Sequence, residues 1–261
     1  MKASEKRKTV LVTGSTQNLG FAIATAFTDT GACVVVHGQC EDEATDTRRR
    51  LKERAPQAEV EAVAFDLGKS VEIERGFAGL KKRGLLPDVL VNNAANLGLG
   101  DSGFLEQSPE FFRKVLEVNL FGVFYCSQLA AAEMKRRGRG SIVNISSLAG
   151  ERAVWGRSAY NTSKAALDGL TRSMVLELAE HGIRINTVVP GYVWTPRWEK
   201  IGSKATTRRR KNIPVGVPTT VEEIARLVLF LALDEGPTLL GARVVIDGGL
   251  SVQQVPKDAG A

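Results

Sequence analysis

A chain of 261 residues in which 43% of the side chains are hydrophobic and 25% are charged has the composition of an ordinary globular protein, which excludes collagen-like, disordered and disulfide-rich classes. Its length suits one domain or two small ones. The formal net charge of +6 comes largely from residues 1–8 and 208–211, and neither segment interleaves its cations with aromatic side chains, so no nucleic-acid partner is expected.

The cysteines and histidines offer no disulfide framework and no metal site. Three unevenly spaced cysteines without a Cys-x-x-Cys pair suit a reducing compartment, and neither His37 nor His181 lies near other residues with metal-ligand spacing. The N-terminus has no apolar stretch of signal-peptide length, and no segment is predicted to cross a membrane. We therefore expect a cytoplasmic protein without a metal ion or a membrane contact.

Short β-branched runs alternate with amphipathic stretches along the chain. Strands are predicted at 9–13, 33–37, 60–65, 89–91, 141–145, 184–189 and 243–246. Helices are predicted at 19–29, 42–54, 71–83, 109–137 with a break near Asn119, 159–181 and 221–233. The last helix carries Glu222 and Glu223 in its first turn, where the helix dipole favours negative charge.

This order of elements predicts an α/β fold with a single domain. The strands are apolar throughout rather than alternating, which is typical of a parallel sheet covered by helices on both faces. Right-handed crossovers then give a doubly wound, mostly parallel, seven-stranded sheet, the Rossmann fold. We assign residues 9–250 to this domain, 1–8 to a basic tail and 251–261 to a C-terminal tail. Ligands should bind at the carboxyl ends of the strands.

The turn after the first predicted strand has the features of a phosphate-binding site. It reads Thr-Gly-Ser-Thr-Gln-Asn-Leu-Gly from Thr13 to Gly20 and leads into a predicted helix. Gly14 permits a tight turn, and Gly20 lets the helix pack closely on the sheet. The free backbone amides at the helix N-terminus would then hold a pyrophosphate group.

A tyrosine and a lysine four residues apart, Tyr160 and Lys164, lie near the start of a predicted helix and therefore share one of its faces. A phenol has an ordinary pKa of roughly 10. A nearby ammonium stabilises the phenolate and lowers that pKa. The pair is a candidate acid/base unit that moves a proton while a cofactor moves a hydride.

Together these motifs resemble those of the short-chain dehydrogenase/reductase family over about residues 8 to 250. The family's glycine motif is Thr-Gly-x3-Gly-x-Gly, and its middle glycine is Asn18 here, a residue type that tolerates a left-handed conformation. Ser147 lies thirteen residues before Tyr160, which matches the spacing of the family's catalytic serine. Ser146 should point to the opposite side of the same strand.

The resemblance implies a catalytic set and a reaction. The catalytic residues would be Asn119, Ser147, Tyr160 and Lys164. Ser147 and Tyr160 would hold the carbonyl oxygen while the cofactor delivers hydride to the carbon and Tyr160 gives its proton. Lys164 would hold the ribose hydroxyls and, through Asn119 and a water, refill the proton. The expected function is hydride transfer between a nicotinamide cofactor and a carbonyl or secondary alcohol substrate.

A cofactor site follows from the same resemblance. Its residues would be Gly14, Ser15, Gln17, Asn18, Leu19, Gly20, Gly38, Gln39, Asp66, Leu67, Asn93, Ala94, Tyr160, Lys164, Pro190, Gly191, Val193 and Thr195. Gly38 stands where NAD users of the family usually carry Asp, and Gln39 where many NADP users carry Arg. The missing acid favours NADP(H) over NAD(H), while the base that would bind the NADP phosphate is missing as well.

Two segments should shape the substrate pocket, a loop at 96–107 and a lid at about 192–218. Residues 195–211 of this lid hold seven basic residues and one acid. Trp155, Arg157 and Trp194 are expected to contact the substrate together with Ser147. The basic surroundings favour a small-molecule substrate that carries a carboxylate or a phosphate.

Two other interpretations remain open. The chain could be a 3-oxoacyl thioester reductase, although Leu176 stands where such enzymes commonly offer an arginine to a carrier protein, which leaves Arg136 and Arg137 as a docking patch. It could also be a nucleotide-sensing protein without catalysis, a class that usually loses the tyrosine or the lysine. Family members of this size are commonly tetramers, so a homotetramer is expected.

Overall fold

Seven parallel strands form the centre of the protein in the computed structural model, which describes residues 7–99, 103–233 and 236–255. The strands are β1 (Thr9–Val12), β2 (Cys33–Gly38), β3 (Glu59–Ala64), β4 (Val89–Asn92), β5 (Gly140–Ile145), β6 (Ile183–Pro190) and β7 (Arg243–Ile246). They pair in the order β3-β2-β1-β4-β5-β6-β7, and every pair is parallel. The predicted single-domain, doubly wound sheet is confirmed.

Helices cover both faces of this sheet. They are α1 (Asn18–Thr28), α2 (Glu41–Arg54), α3 (Ser70–Lys82), α4 (Pro109–Leu116), α5 (Gly122–Arg137), α6 (Ser158–Leu178), α7 (Arg197–Lys200), α8 (Ser203–Lys211) and α9 (Val221–Leu233). Val10 and Val12 of β1 pack in a core with α1 and α9, whereas Leu11 packs in a second core with α3, α5 and α6. Because both faces are covered, the successive residues Val10, Leu11 and Val12 of β1 are all apolar and buried.

The strand order reverses beside β1, and this reversal creates the site. The chain runs outward from β1 to β2 and β3, then returns to place β4 on the other side of β1. The loops that follow β1 and β4 therefore diverge and leave a crevice at the carboxyl ends of the strands, where ligands of such sheets bind. The glycine turn follows β1, and Asn93 follows β4.

The long helix predicted at 109–137 is interrupted as expected. A π-helical turn, Glu117–Phe121, separates α4 from α5 and contains Asn119. By length and hydropathy alone, the helical region Pro109–Arg137 is long and apolar enough to cross a membrane. However, Cys126, Ala130 and Met134 of α5 are buried in one of the two cores. A core helix of a folded domain satisfies the same length and hydropathy test.

The lid region, residues 192–218, contains two short helices, α7 and α8, that the sequence pattern did not predict. Trp198 of α7 is buried, and its Nε1 donates to the carbonyl of Val193 at 2.8 Å. Of the predicted basic tail, the structure describes Arg7, which pairs with Glu59, and Lys8. Residues 100–102 of the 96–107 loop and 256–261 of the C-terminal tail lie outside the described residues.

Candidate active site

A cavity of about 1010 Å³ lies at the carboxyl ends of the strands. It brings together most of the predicted cofactor and catalytic residues, which come from loops far apart in the sequence. Those that line it are Gly14, Gln17, Asn18, Leu19, Gly20, Gly38, Gln39, Asp66, Leu67, Asn93, Ala94, Ser147, Tyr160, Lys164, Pro190, Gly191, Val193 and Thr195.

The glycine turn has the geometry of an anion cradle. Gly14 has a φ of +60°, and a Cβ there would lie 2.8 Å from the Cα of Ala94, so the position requires glycine. Asn18 has a φ of +46°, in the left-handed region that its residue type tolerates. No side chain caps α1, and its first turn has no acid. Its first amides and its dipole are therefore available to a pyrophosphate, which fits a dinucleotide cofactor.

Ser15 was expected to bind the cofactor, and the structure corrects this. Its side chain is fully buried and does not line the cavity. Its Oγ accepts a hydrogen bond from the backbone N–H of His37 at 2.8 Å, and its own N–H donates to the carbonyl of His37. The next residue, Thr16, lines the cavity instead. The sequence pattern did not single out Thr16, because the direction of each side chain in a tight turn depends on pairing with β2.

The end of β2 also lines the cavity, and it packs closely against α2. A Cβ on Gly38 would lie 2.8 Å from the backbone nitrogen of Ala44, so no acid fits at position 38 without a shift of α2. Glu43 also lines the cavity, and its Oε2 accepts a hydrogen bond from the backbone N–H of Gln39 at 3.1 Å. The sequence pattern did not indicate this acid, because Glu43 follows the end of the strand by five residues.

Tyr160 and Lys164 lie on one face of α6, as their spacing predicts. Both are buried. Lys164 Nζ donates to the carbonyl of Ile145 at 2.8 Å and lies 5.7 Å from the centre of the Tyr160 ring. Burial lowers the pKa of Lys164 to about 8, against the opposing effect of Asp168, so the amine remains mostly protonated at neutral pH.

The Tyr160 phenol has partners on its other side. Burial raises its pKa, while a hydrogen bond with Ser147 and the positive charge of Arg157 act in the opposite direction. Ser147 precedes a 3₁₀ turn, Leu148–Gly150, and its Oγ accepts from the N–H of Ala149 at 3.2 Å. The phenol and the hydroxyl therefore converge where a substrate oxygen would be held.

Ser146 was expected to point away from Ser147, on the opposite side of a strand. The strand β5 ends at Ile145, as predicted, so both serines follow the strand, and both border the cavity. Ser146 is nonetheless buried, and its Oγ donates to the carbonyl of Lys164 at 3.5 Å. Its hydroxyl is directed to the backbone of α6.

Asn119 does not line the cavity, and its amide is fully engaged within the protein. Its Oδ1 accepts from the N–H of Asn96 at 2.7 Å, and its Nδ2 donates to the carbonyl of Asn96 and to Ser163 Oγ. The side chain therefore clamps the loop after β4 to α6, beside the catalytic pair. A part in proton relay would have to use its main-chain atoms.

The predicted substrate residues are placed very differently from one another. Trp155 is fully exposed and does not line the cavity, so its contact with the substrate stays a prediction. Trp194 is also absent from the cavity lining and packs on Trp198, with ring centres 5.6 Å apart. Arg157 is half-buried, and its guanidinium carbon lies 5.9 Å from the centre of the Tyr160 ring. Of these three residues, only Arg157 adjoins the catalytic tyrosine.

Positive charge accumulates on this side of the cavity. Burial lowers the pKa of Arg157, and the neighbouring cations Arg197 and Arg209 lower it further. Among the described residues, no carboxylate lies within ion-pair distance of Arg157 or Arg197. Arg197 lines the cavity, whereas Arg157 is not among its lining residues. By contrast, Arg152 binds backbone carbonyls of the C-terminal segment, including that of Gln253 at 3.2 Å.

In the described part of the chain, no group of three or more His, Cys, Asp or Glu side chains is arranged to hold a metal ion.

Comparison with known proteins gives the same fold and chemistry. Residues 14–251 match a family model described as enoyl-(acyl carrier protein) reductase. The chain is 33% identical over 247 residues to a 3α-hydroxysteroid dehydrogenase of Mediterraneibacter gnavus, covering 93% of this chain and 96% of the relative. It is 34% identical over 245 residues to a 3-oxoacyl-acyl-carrier-protein reductase of Thermotoga maritima, covering 94% of this chain and 98% of the relative.

A solved structure is similar as well. A gluconate 5-dehydrogenase from Burkholderia cenocepacia, in complex with NADP and tartrate, matches with a TM-score of 0.87 and 28% identity over 95% of this chain and 96% of that chain. The protein is an oxidoreductase that transfers hydride between a nicotinamide cofactor and a carbonyl or alcohol group. The chain belongs to the short-chain dehydrogenase/reductase family.

Proposed function

We propose that Tyr160 is the general acid/base of a reversible carbonyl reduction. The observation that carries this role is the buried cluster in which the phenol meets Ser147 on one side and Lys164 on the other. A bound nicotinamide would supply the hydride in reduction and accept it in oxidation. Ser147 and Tyr160 hold the substrate oxygen, and the proton passes between that oxygen and the phenol. Lys164 contributes positive charge that favours the phenolate left behind.

A turnover assay tests this function directly. The purified protein is incubated with NADPH or NADP⁺ and a panel of ketones, keto acids and secondary alcohols, and cofactor absorbance is followed. We expect turnover of at least one substrate pair in both directions. Tight cofactor binding without turnover of any panel member would instead support the nucleotide-sensing alternative.

For the cofactor, we propose that NADP(H) is favoured over NAD(H). Support comes from the end of β2, where Gly38 leaves no acid for the ribose hydroxyls and no room to introduce one. Glu43 acts against this preference, because its carboxylate accepts a hydrogen bond from the Gln39 backbone N–H and so adds negative charge near the end of β2.

Replacing Gln39 with Arg is expected to tighten NADPH binding about tenfold, or about 1.4 kcal/mol, because a guanidinium there would pair with the 2′-phosphate. Binding of NADH should change less than threefold. Fluorescence titration of both cofactors measures the effect. The matched control is Gln57→Arg, which adds the same charge at an exposed position outside the cavity. An equal gain for both cofactors would show that the 2′-phosphate is not bound here.

We also propose an anionic substrate that carries a carboxylate or a phosphate. Arg157 supports this proposal. It is a half-buried cation beside Tyr160, it has no acidic partner among the described residues, and two further cations lie nearby. A bound anion would stabilise such a cation. The similar solved structure, which is of a different protein, contains tartrate, a dicarboxylate.

Substitution of Arg157 by Gln should lower kcat/KM for an anionic substrate about 30-fold, because a charge-assisted hydrogen bond contributes about 1.5–3 kcal/mol. For a neutral analogue of the same size, kcat/KM should fall less than threefold. The control is Arg210→Gln, because Arg210 is exposed and lies over Trp194 rather than Tyr160. Equal losses for the charged and neutral substrates would contradict the anion proposal.

A carrier-bound 3-oxoacyl substrate has less support. Arg136 and Arg137, the candidate docking patch, both pair with Glu133, and Arg137 also pairs with Asp88. Leu176 is exposed on α6 and offers no charge. These pairings reduce the positive charge that an acidic carrier would meet.

For the assembly, we propose a cytoplasmic homotetramer. Its support is the group of large apolar side chains left exposed on the long helices, on α9 and on β7, namely Phe121, Phe124, Leu176, Phe230 and Val245. Sedimentation equilibrium measures the assembly, and a monomer at micromolar concentration would contradict it.

A further inference from the structure

His37 is a buried titratable residue that none of the roles above uses. It lies near the end of β2, and 3% of its surface is exposed. Its ring packs on Phe65, with ring centres 4.1 Å apart. Both ring nitrogens are nevertheless hydrogen-bonded, and each bond reaches a different loop of the cofactor cavity.

The two hydrogen bonds determine which nitrogen carries the proton. The backbone N–H of Gly14 donates to Nδ1 at 3.0 Å, so Nδ1 must be unprotonated. Nε2 lies 3.0 Å from the carbonyl oxygen of Phe65, which can only accept, so Nε2 carries the hydrogen. Burial lowers the pKa of His37 to about 4, against the opposing effects of the Phe65 carbonyl and Asp66. The ring is therefore neutral at physiological pH, as the hydrogen bond from Gly14 to Nδ1 requires.

Two peptide groups meet at Gly14, directly before the backbone amides that are expected to bind phosphate. The Gly14 carbonyl accepts from Asn93 Nδ2 at 3.0 Å. Gly20 of α1 lies against the same carbonyl so closely that a Cβ would not fit. The amide side of Gly14 is held by His37. Rotation of either peptide group at Gly14 would therefore move the N-terminal turn of α1 relative to the cavity.

The other end of the imidazole reaches the loop after β3, which also lines the cavity. Phe65 directly precedes Asp66, and both line the cavity. The Asp66 backbone N–H donates to Glu72, and its Oδ1 accepts from the Gly68 N–H at 2.9 Å, so the chain after β3 is itself well ordered by local bonds. The loop after β3 thus has other supports, whereas the Gly14 amide depends on His37.

We propose that His37 is a positioning residue for cofactor binding: its Nδ1 accepts the Gly14 amide and so fixes the turn whose following amides bind the pyrophosphate. The effect is on affinity for NADPH and NADH alike, because both carry the same pyrophosphate. It is not on the hydride-transfer step, since Tyr160 and Lys164 lie outside this network.

Two near-isosteric variants separate the two hydrogen bonds of the ring. The side-chain oxygen of Asn reaches the position of Nδ1, so His37→Asn retains an acceptor for Gly14 and loses the bond to Phe65. The terminal amide of Gln reaches the position of Nε2, so His37→Gln retains the donor to Phe65 and loses the acceptor for Gly14. A buried N–H left without an acceptor is costly, so the two variants should differ.

We expect His37→Gln to weaken both NADPH and NADH binding about tenfold, as the loss of a buried acceptor implies, with kcat at saturating cofactor changed less than twofold. His37→Asn should bind both cofactors within threefold of the wild type. Fluorescence titration gives the affinities, and thermal melting of each variant measures its general loss of stability. Equal effects of the two variants on affinity, or a loss confined to His37→Asn, would overturn the proposal.

A second measurement is independent of ligands and of catalysis. The chain has two histidines, so ¹⁵N-edited NMR of the imidazoles can be assigned with a His181→Gln variant. At neutral pH we expect His37 to be the neutral tautomer with hydrogen on Nε2. A protonated Nδ1 would overturn the proposal even if His37→Gln fails to fold.

Discussion

Replacing Tyr160 with Phe is expected to lower kcat/KM for carbonyl reduction about 1000-fold, because general acid/base groups typically contribute 100- to 10,000-fold. The ring keeps its packing on α6, so NADPH affinity should stay within about threefold and the melting temperature should change little. Steady-state kinetics and fluorescence titration together measure this difference between chemistry and binding.

Tyr125→Phe is the matched control. Tyr125 lies on α5 against one of the hydrophobic cores, outside the cavity, and removal of its hydroxyl should leave kcat/KM within twofold. If Tyr160→Phe retained more than a tenth of the wild-type kcat/KM, another group would have to carry the proton, and the proposed role of Tyr160 would be wrong.

Replacing Lys164 with Met is expected to abolish measurable turnover and, at the same time, to stabilise the cofactor-free fold by about 2 kcal/mol at neutral pH. A pKa that falls from 10.5 to about 8 means that the folded state disfavours the buried ammonium. That difference corresponds to about 3 kcal/mol, and loss of the bond from Nζ to the Ile145 carbonyl offsets about 1 kcal/mol of it.

The stability gain should depend on pH in a defined direction. Below pH 8 the lysine is protonated in both states, and the full destabilisation is present. Between pH 8 and about 10.5 the unfolded state binds more protons than the folded state, so the wild-type free energy of unfolding rises with pH. The advantage of Lys164→Met should therefore shrink across this window. Chemical denaturation of both proteins at pH 7 and pH 10 measures it, and a constant difference would contradict the assignment.

These two substitutions also separate the roles of the two residues. Both should impair catalysis strongly, but only the lysine variant should gain stability, because of the two residues only Lys164 carries a buried charge at neutral pH. A fold that retains such a cation is less stable than it would be with an apolar residue of similar length. That cost is typical of an active site.

The sequence by itself determined the architecture of this protein. Apolar runs such as Val10–Val12 and the helical stretches between them specify a parallel sheet covered on both faces, because alternation of strand and helix leaves few other topologies. Local spacing also placed Tyr160 and Lys164 on one helix face, since residues four apart in a helix project together. The glycine turn was predictable for the same reason: its geometry depends on neighbouring residues.

Only the tertiary structure decided which side chains reach the cavity. Ser15 is turned into the protein because it pairs with the backbone of His37, 22 residues away. Trp155 is left in solvent, and Arg157, two residues later, lies beside Tyr160. His37 itself looked like an ordinary strand residue, and its role emerges only when β2 lies beside the turn after β1. Such contacts join residues distant in sequence, so no local pattern of spacing or polarity encodes them.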